Sequence, residues 1–326
     1  MSELRPRLLV AFPSRRGLER AVDLALPGIP WALLAETPSE ERRDVEAMLV
    51  GSFAREARES FDPATTPKLR FVQRVYTGMD GFPFDRFPEG VAIAGNVGAF
   101  APFVSEHAVA LALTAARDFA AAREAVRAGR LRPAPDQRTL YGGTAVILGY
   151  GEIGRAIAER LAGFEMRVLG LNRTGSPAPG CEKMYPAERL TEAVAEGDVV
   201  FEVRPLTKLT ERTINAAVLS AMRPRAIFVN VGRAGTVDEE ALFHHLESHP
   251  AFRAAIDVWW NEDYTTGALT SRFPFSQLPN FVGTPHSAGV SPDGEARALH
   301  FALENVARYF RDGKPAHIVD RHEYSD

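Results

Sequence analysis

Short apolar runs alternate with helical patterns along the first hundred residues of the chain. Such runs are typical of buried strands, and strands that alternate with helices indicate a parallel sheet covered on both faces. The predicted strands are RLLVAF (7–12), WALLAE (31–36), DVEAMLVG (44–51), LRFVQRVY (69–76) and VAIAGN (91–96), with a predicted helix at GLERAVDLAL (17–26). This pattern predicts a first α/β domain.

An Ala-rich stretch then predicts one long helix over 104–128, with Pro102 at its start and Gly129 at its end. A second series of strand and helix patterns follows, and it predicts a second doubly wound domain. Its strands are predicted within TAVILGYGEIG (144–154), MRVLGLN (166–172), DVVFEV (198–203), AIFVNVG (226–232), AAIDVWW (254–260) and FVGTP (281–285). From about Ser291 the pattern is helical again, over 293–312.

The bulk composition is that of a soluble globular protein. A length of 326 residues suggests two domains. The net charge of −4 gives no general field to hold nucleic acid or an anionic membrane. The single cysteine, Cys181, cannot form an internal disulfide, and no apolar run is long enough to cross a bilayer. We therefore expect a cytoplasmic protein with no nucleic-acid or membrane partner.

A glycine-rich turn stands where a strand runs into a helix. Gly149, Tyr150, Gly151, Glu152, Ile153 and Gly154 fit the pattern G-x-G-x-x-G. The first glycine allows the tight turn, the second lets the backbone approach a pyrophosphate, and the third lets the helix pack on the strand. The amino end of the helix then attracts phosphate. This context predicts a dinucleotide-binding site.

Asn172, Arg173 and Thr174 end the next strand, where many such sites place an acidic residue. Asn172 follows Gly149 by 23 residues. An acid there would accept a hydrogen bond from the ribose 2′-hydroxyl and repel a 2′-phosphate, whereas Arg173 offers a fixed cation and Thr174 a hydroxyl. We predict NADP(H) as the cofactor, the alternative being a solvated Arg173 at a site that takes NAD. Arg204, after a later strand, is a second candidate for the adenosine end.

Three later segments each end a predicted strand of the same sheet and present a chemically capable side chain. They are NVGRAGTVDEEAL (230–242) with Arg233, IDVWWNED (256–263) with Glu262, and TPHSAG (284–289) with His286. Loops at the carboxyl ends of parallel strands share one edge with the glycine turn. A histidine can supply a proton, a carboxylate can orient it, and an arginine can bind a carboxylate substrate and polarise its carbonyl. This combination is what hydride transfer to a carbonyl requires, on a substrate that carries a neighbouring carboxylate.

With GYGEIG and PLTKLTERTIN (205–215), these motifs make the chain resemble the D-isomer-specific 2-hydroxyacid dehydrogenase family over nearly its whole length. The resemblance implies a flavodoxin-like substrate domain, 1–98 and 291–326, into which a Rossmann NAD(P)-binding domain, 99–290, is inserted. It also implies a homodimer. The fold class is therefore α/β with two doubly wound parallel-sheet domains.

The resemblance also implies roles for individual residues. Arg233, Glu262 and His286 match the catalytic residues of the family. The loop VYTGMDG (75–81) matches the loop whose backbone amides bind the substrate carboxylate, which gives Tyr76, Thr77 and Gly78 as substrate contacts beside Arg233 and His286. Asp257 matches a position that contacts the nicotinamide carboxamide. The remaining expected cofactor contacts are Val203, Arg204, Pro205, Thr210, Val231, Gly232, Arg233, His286 and Ala288.

The implied enzyme reduces a small 2-oxo acid, with glyoxylate or hydroxypyruvate favoured, and His286 is its acid and base. A formate dehydrogenase-like enzyme is an alternative, although Glu262 argues against it. A non-catalytic, nucleotide-sensing protein similar to the corepressors of this fold is another. His245 and His249 have the i, i+4 spacing of a zinc pair, but no third ligand motif is near, and we expect a solvated helix face and no metal site.

Overall fold

A computed structural model describes residues 5–51, 61–131, 136–263 and 266–324. The chain divides into two compact units, Met1–Phe100 with Ser291–Asp326, and Ala101–Val290. The helices are α1 (Leu18–Ala25), α2 (Ala101–Arg117), α3 (Phe119–Arg127), α4 (Glu152–Leu161), α5 (Leu190–Ala195), α6 (Ala216–Ala221), α7 (Glu239–Ser248) and α8 (Pro292–Asp312). Within the described ranges, no helix is both long enough and apolar enough to span a bilayer.

The first unit contains a five-stranded parallel sheet in the order β2-β1-β3-β4-β5, the order typical of a flavodoxin-like fold. Its strands are β1 (Leu8–Ala11), β2 (Trp31–Leu33), β3 (Ala47–Val50), β4 (Phe71–Arg74) and β5 (Ala92–Ala94). Successive side chains point to opposite faces, so Leu8 and Val10 join one core cluster while Leu9 and Ala11 join another. Both faces are therefore buried, as the continuous apolar runs predicted.

The second unit contains a seven-stranded parallel sheet in the order β14-β11-β10-β9-β6-β7-β8. Its strands are β6 (Thr144–Leu148), β7 (Arg167–Asn172), β8 (Lys183–Pro186), β9 (Val199–Glu202), β10 (Ile227–Asn230), β11 (Arg253–Ile256) and β14 (Phe281–Gly283). The strand order reverses between β6 and β9, where Rossmann folds bind their dinucleotide. The predicted fold class is confirmed.

The predicted single helix over 104–128 is wrong, because α2 ends at Arg117 and α3 begins at Phe119. Asp118 between them has a left-handed backbone, with φ of 50°, and its side chain accepts from the amide of Ala121. The buried guanidinium of Arg253 donates to the carbonyls of Ala115 and Ala116. Arg253, which is 138 and 137 residues away from these two alanines, thus satisfies carbonyls near the end of α2, which nothing in the local sequence indicates.

Two further elements differ from the pattern-based expectations. The short strand β8 was not predicted. Glu262 was expected in a loop that directly follows a strand of the parallel sheet, but it does not lie in such a loop. It lies in β12 (Asn261–Asp263), which pairs antiparallel with β13 (Ala268–Thr270). Three-residue strands that are mostly exposed have no apolar alternation long enough to recognise.

Candidate active site

The glycine turn has the shape that a dinucleotide needs. Gly149 has φ of 98°, and a Cβ on it would lie 3.0 Å from the side chain of Arg204. A Cβ on Gly154 would come within 2.5 Å of the carbonyl oxygen of Gly149. A Cβ on Gly151, by contrast, would meet nothing within 4 Å, so the space above this residue is open. The residues present therefore fit a pyrophosphate that approaches the backbone at Gly151 and the amino end of α4.

Tyr150, inside the turn, is almost fully buried and its hydroxyl donates to the carbonyl of Pro179 (3.0 Å). Burial raises the pKa of Tyr150 to about 12. The neutral phenol is thus a permanent donor near neutral pH. It links the glycine turn to the loop after β7, on which the adenosine end of the cofactor is expected. Glu152 and Ile153 begin α4, and Glu152 pairs with Arg155 on the exposed surface.

The side chain of Asn172 holds the turn that follows β7, a role that could not be predicted from the sequence pattern. Its Oδ1 accepts from the amides of Thr174 (3.1 Å) and Gly175 (2.7 Å), and its Nδ2 donates to the carbonyl of Ser176 (2.8 Å). Asparagine is common in turns because its amide can replace backbone partners in this way. The turn leaves Arg173 and Thr174 exposed, and the hydroxyls of Thr174 and Ser176 lie 2.7 Å apart.

The side chain of Arg204, a candidate for the adenosine end of the cofactor, forms a buried ion pair. Its guanidinium donates from Nε to both carboxylate oxygens of Glu202 (3.0 Å each) and from Nη2 to Oε2 (2.5 Å). Nη2 also donates to the hydroxyl of Thr213 (3.0 Å). Glu202 is fully buried and Arg204 is 8% exposed, so the two charges neutralise each other inside the protein.

Backbone contacts join the other expected cofactor residues to the same edge of the sheet. Val203 donates to Leu148 next to the glycine turn, and Val231 and Gly232 donate to the carbonyl of Glu202. A Cβ on Gly232 would lie 2.8 Å from the carbonyl oxygen of Arg204, so only glycine permits this close approach. Farther along the loop after β9, the hydroxyl of Thr210 donates to the carbonyl of Pro205 (2.6 Å).

His286 and Glu262 form the hydrogen-bonded pair that the sequence predicted. Nδ1 of His286 lies 2.7 Å from Oε2 of Glu262, and the other carboxylate oxygen accepts the backbone N–H of Trp259 (2.8 Å). The side chain of His286 is 31% exposed and that of Glu262 is 17% exposed. A carboxylate on Nδ1 favours the tautomer with the proton there, and this leaves Nε2 to exchange a proton with a substrate.

His286 has an unusual backbone for a residue with a side chain, with φ of 51°. Its N–H donates to the carbonyl of Asp257 (2.7 Å), whose carboxylate accepts from the amides of Ser287 and Ala288 (2.9 Å each). Burial raises the pKa of Asp257, but the hydrogen bonds it accepts, first those from His107 and Thr284, outweigh burial and hold the pKa below its usual range. Asp257 is 1% exposed, and its carboxylate supports the loop of His286. Its expected contact with the nicotinamide carboxamide stays a prediction.

Arg233 follows β10, which pairs with β11, the strand before Asp257. Strand β14, which precedes His286, lies on the other side of β11. Asn230 donates to the carbonyl of Arg233 (3.2 Å) and accepts from the amide of Gly232 (3.0 Å). Thr236 donates to the same carbonyl of Arg233 (2.8 Å). Side chains on both sides thus hold the backbone of Arg233 at the carboxyl edge of the sheet.

The expected substrate loop lies in the first unit, after β4. The hydroxyl of Thr77 donates to the carbonyl of Asn96 (2.9 Å), and Arg74 donates to the carbonyl of Gly78. Tyr76 is 43% exposed and stacks on Phe100. Among the described residues, the amides of Thr77 and Gly78 donate to no protein group. Two amides in this state suit a carboxylate ligand.

His245 lies in α7, and His249 is the residue that follows this helix. His245 stacks on His249, with ring centroids 4.1 Å apart, and burial together with His249 lowers the pKa of His245 to about 4. In the ranges that the structure describes, no group of three or more histidine, cysteine or acidic side chains is placed to bind a metal.

A Rossmann sheet with an open glycine turn and a carboxylate–imidazole pair at its carboxyl edge defines a nicotinamide-dependent oxidoreductase. Comparison with known proteins agrees with that class. Residues 109–288, more than half of the chain, match the family model of the D-isomer-specific 2-hydroxyacid dehydrogenase NAD-binding domain. The chain therefore belongs to the D-isomer-specific 2-hydroxyacid dehydrogenase family, and it is an oxidoreductase that acts on the CH–OH group with a nicotinamide dinucleotide.

Two curated relatives are similar over most of their length. The glyoxylate reductase of Pyrococcus furiosus is 30% identical, over 89% of this chain and 88% of the relative. The hydroxypyruvate reductase of Thermotoga maritima is also 30% identical, over 75% of this chain and 78% of the relative.

Two solved structures are similar over nearly the whole chain. A protein from Pyrobaculum aerophilum, provisionally described as a formate dehydrogenase, is 29% identical with a TM-score of 0.83, over 98% of this chain and 100% of that one. A D-isomer-specific 2-hydroxyacid dehydrogenase from Xanthobacter autotrophicus Py2, solved with NADPH and MES, is 25% identical with a TM-score of 0.80, over 98% of this chain and 100% of that one.

Proposed function

We propose that the chain is an NADPH-dependent reductase of small 2-oxo acids, with glyoxylate and hydroxypyruvate as its favoured substrates. The observation that carries this proposal is the 2.7 Å contact between His286 Nδ1 and Glu262 Oε2, which leaves Nε2 of the imidazole for a substrate. The names of the glyoxylate and hydroxypyruvate reductases among its relatives support the substrate class.

His286 gives its Nε2 proton to the carbonyl oxygen of the 2-oxo acid, and in the reverse direction it takes the hydroxyl proton of the D-2-hydroxy acid. Glu262 stabilises the protonated imidazole through Nδ1. The N–H of Trp259 holds the carboxylate in place from its other oxygen (2.8 Å). General acid–base catalysis of this kind contributes roughly 10²- to 10⁴-fold to the rate.

Arg233 binds the carboxylate and the carbonyl oxygen of the substrate, and its fixed positive charge stabilises the oxyanion that develops during reduction. The amides of Thr77 and Gly78 bind the substrate carboxylate. Pyrophosphate is held by the backbone from Gly149 to Gly154, and hydride transfer to the carbonyl carbon is the chemistry that the bound dinucleotide contributes. In this proposal, residues 1–98 with 291–326 form the substrate domain and residues 99–290 form the cofactor domain.

The test is a steady-state assay of the wild type and His286→Asn with glyoxylate, hydroxypyruvate, pyruvate, phenylpyruvate and formate. We expect reduction of glyoxylate and hydroxypyruvate by the wild type, and a loss of roughly 10²-fold or more in His286→Asn. Unchanged turnover in that variant would refute the proton role. Oxidation of formate alone would indicate a formate dehydrogenase, and NADPH binding without any turnover would indicate a nucleotide-sensing protein.

Arg173 and Thr174 bind the 2′-phosphate in this proposal. We expect Arg173→Ala to raise KM for NADPH by roughly tenfold or more, the size of one charge-assisted contact, with little change for NADH. Arg127→Ala is a matched control, because Arg127 is exposed and pairs with Glu124 on α3. Equal losses with NADPH and NADH would show that the stretch does not select the cofactor.

A homodimer and a cytoplasmic location remain predictions from the family resemblance and the composition. Light scattering coupled to gel filtration measures the first directly. A monomer at micromolar concentration would contradict it.

A further inference from the structure

Thr284 stands two residues before His286, and all of its polar groups are hydrogen-bonded. Its N–H donates to the carbonyl of Ile256 (2.9 Å), and its carbonyl accepts from the indole Nε1 of Trp259 (2.8 Å). Its hydroxyl lies between the carboxylate of Asp257 (2.6 Å) and Nε2 of His107 (2.9 Å). His107 comes from the middle of α2, 177 residues earlier in the chain.

These contacts determine which groups carry the protons. The carboxylate of Asp257 can only accept, so the hydroxyl proton of Thr284 points to Oδ1 of Asp257. The same hydroxyl then accepts from His107, which must carry a proton on Nε2. That nitrogen also lies 3.4 Å from Oδ1 of Asp257. His107 is therefore a donor in this network, either as the Nε2–H tautomer or as the cation.

Trp259 donates to both sides of the Glu262–His286 pair. Its backbone N–H holds Oε1 of Glu262 (2.8 Å), and its indole holds the carbonyl of Thr284 just before His286. Gly283 makes room for the indole, because a Cβ there would lie 2.8 Å from Cζ2 of Trp259. One residue thereby fixes the distance between the carboxylate strand β12 and the loop of the histidine.

The loop of His286 needs such support. A left-handed backbone at a histidine is unfavourable by itself and persists only where surrounding contacts hold it. The amide of His286 donates to the carbonyls of Asp257 (2.7 Å) and Thr284 (3.1 Å). A displacement of Thr284 therefore also displaces His286. A proton donor displaced by a fraction of an ångström loses much of its effect.

We propose that His107 and Trp259 are positioning residues for the Glu262–His286 pair and that both act through Thr284. The inference rests on the proposed role of His286 as the proton donor. It assigns a task to a histidine of α2 that lies outside every motif of the active-site loops.

Steady-state kinetics with glyoxylate and NADPH test the proposal in four variants. His107→Leu and Trp259→Phe each remove one donor, and Thr284→Val removes the hydroxyl that His107 contacts. We expect kcat to fall roughly 10- to 100-fold in these three, as for a misplaced catalytic group, while KM for NADPH stays within about twofold. His107→Gln keeps a donor near the position of Nε2 and should recover most of kcat.

Trp31→Phe is the matched control for the indole change, because Trp31 donates to Asp23 on the exposed surface of the first unit. It should keep the kcat of the wild type. Unchanged kcat in both His107→Leu and Trp259→Phe, or equal losses in His107→Leu and His107→Gln, would overturn the proposal. A fall confined to KM for NADPH would also overturn it, since that result would indicate a role in cofactor binding only.

A second readout does not depend on turnover. Long-range ¹H–¹⁵N spectra of the imidazoles should show a proton on Nε2 of His107 in the wild type, and Thr284→Val should change that signal. Trp259→Phe should shift the resonances of His286. Resonances of His286 that stay unchanged in Trp259→Phe and His107→Leu would refute positioning. If the wild type reduced no 2-oxo acid, the proposed function would be refuted. The spectra would still show whether His107 and Trp259 position His286.

Discussion

Nδ1 of His286 and Oε2 of Glu262 lie 2.7 Å apart, and the second oxygen of the same carboxylate accepts the N–H of Trp259 (2.8 Å). Glu262 must therefore act as an acceptor on both sides. A carboxylate does this with its two oxygens, whereas an amide has only one. The pair thus demands a carboxylate for its hydrogen bonds as well as for its charge.

Glu262→Gln should accordingly lower kcat/KM by roughly 10²-fold or more, since the amide leaves a donor facing either His286 or Trp259 and also loses the negative charge. Steady-state kinetics with glyoxylate measure this loss, and circular dichroism checks the fold. Glu247→Gln is a suitable control, because Glu247 pairs with His244 on the exposed face of α7. A variant with wild-type kcat/KM would contradict the role of Glu262.

Variants of Asn172 can separate two effects at this position, the hydrogen bonds that hold the turn after β7 and the charge of the side chain. Asn172→Asp loses the donor to the carbonyl of Ser176 but keeps the acceptor for the amides of Thr174 and Gly175, so most of the turn should persist. The new charge should repel a 2′-phosphate. We expect KM for NADPH to rise roughly tenfold with little change for NADH. Asn172→Ala removes the acceptor and should impair both cofactors. Equal effects of the two variants would contradict this division.

Gly151 and Gly154 should respond differently to a methyl group. Gly154→Ala places a Cβ within 2.5 Å of the backbone oxygen of Gly149, and we expect it to destabilise the protein by about 1–3 kcal/mol. Gly151→Ala meets no protein atom within 4 Å, so its unfolding midpoint should stay near that of the wild type. Its KM for the cofactor should rise instead, because the methyl group enters the space expected for pyrophosphate. Urea denaturation and kinetics together distinguish the two effects.

The buried pair of Glu202 and Arg204 predicts a strong asymmetry between single and double variants. Arg204→Met leaves the fully buried Glu202 without its cation and should destabilise the protein by about 3–5 kcal/mol. The double variant Glu202→Leu, Arg204→Met removes both charges and should recover much of that loss. Urea denaturation measures both. Equal stability of the single variant and the wild type would show that Glu202 is compensated in another way.

The lowered pKa of His245 predicts how the free energy of unfolding changes in acid. Its pKa in the folded protein is lowered to about 4 by burial and His249, below the value near 6.5 of an unfolded histidine. The unfolded chain therefore binds more protons between these values, and the stability present above pH 6.5 is lost progressively as the pH falls toward 4. His245→Gln should flatten this part of the profile in thermal unfolding. His300→Gln, on an exposed histidine, should not.

The apolar runs of the chain were sufficient to predict both parallel sheets, because a strand that is buried on both faces is apolar at successive positions. The glycine turn could also be predicted from the sequence, since backbone geometry alone requires Gly149 and Gly154. The helix break at Asp118 could not be predicted, because the guanidinium that satisfies the carbonyls of Ala115 and Ala116 belongs to Arg253, far away in sequence. The hairpin of β12 and β13 was missed because its strands are too short to show alternation.

The sequence by itself determined the two α/β folds, the position of the dinucleotide turn, and the identity of Arg233, Glu262 and His286 as the candidate catalytic set. Local patterns encode burial and the main helices and strands, because these depend mostly on residues that are near in sequence. Only the tertiary structure decided which side chains work together. It placed Arg204 on Glu202, Asn172 in its own turn, and His107 beside Thr284, because hydrogen-bond partners are chosen by proximity in space.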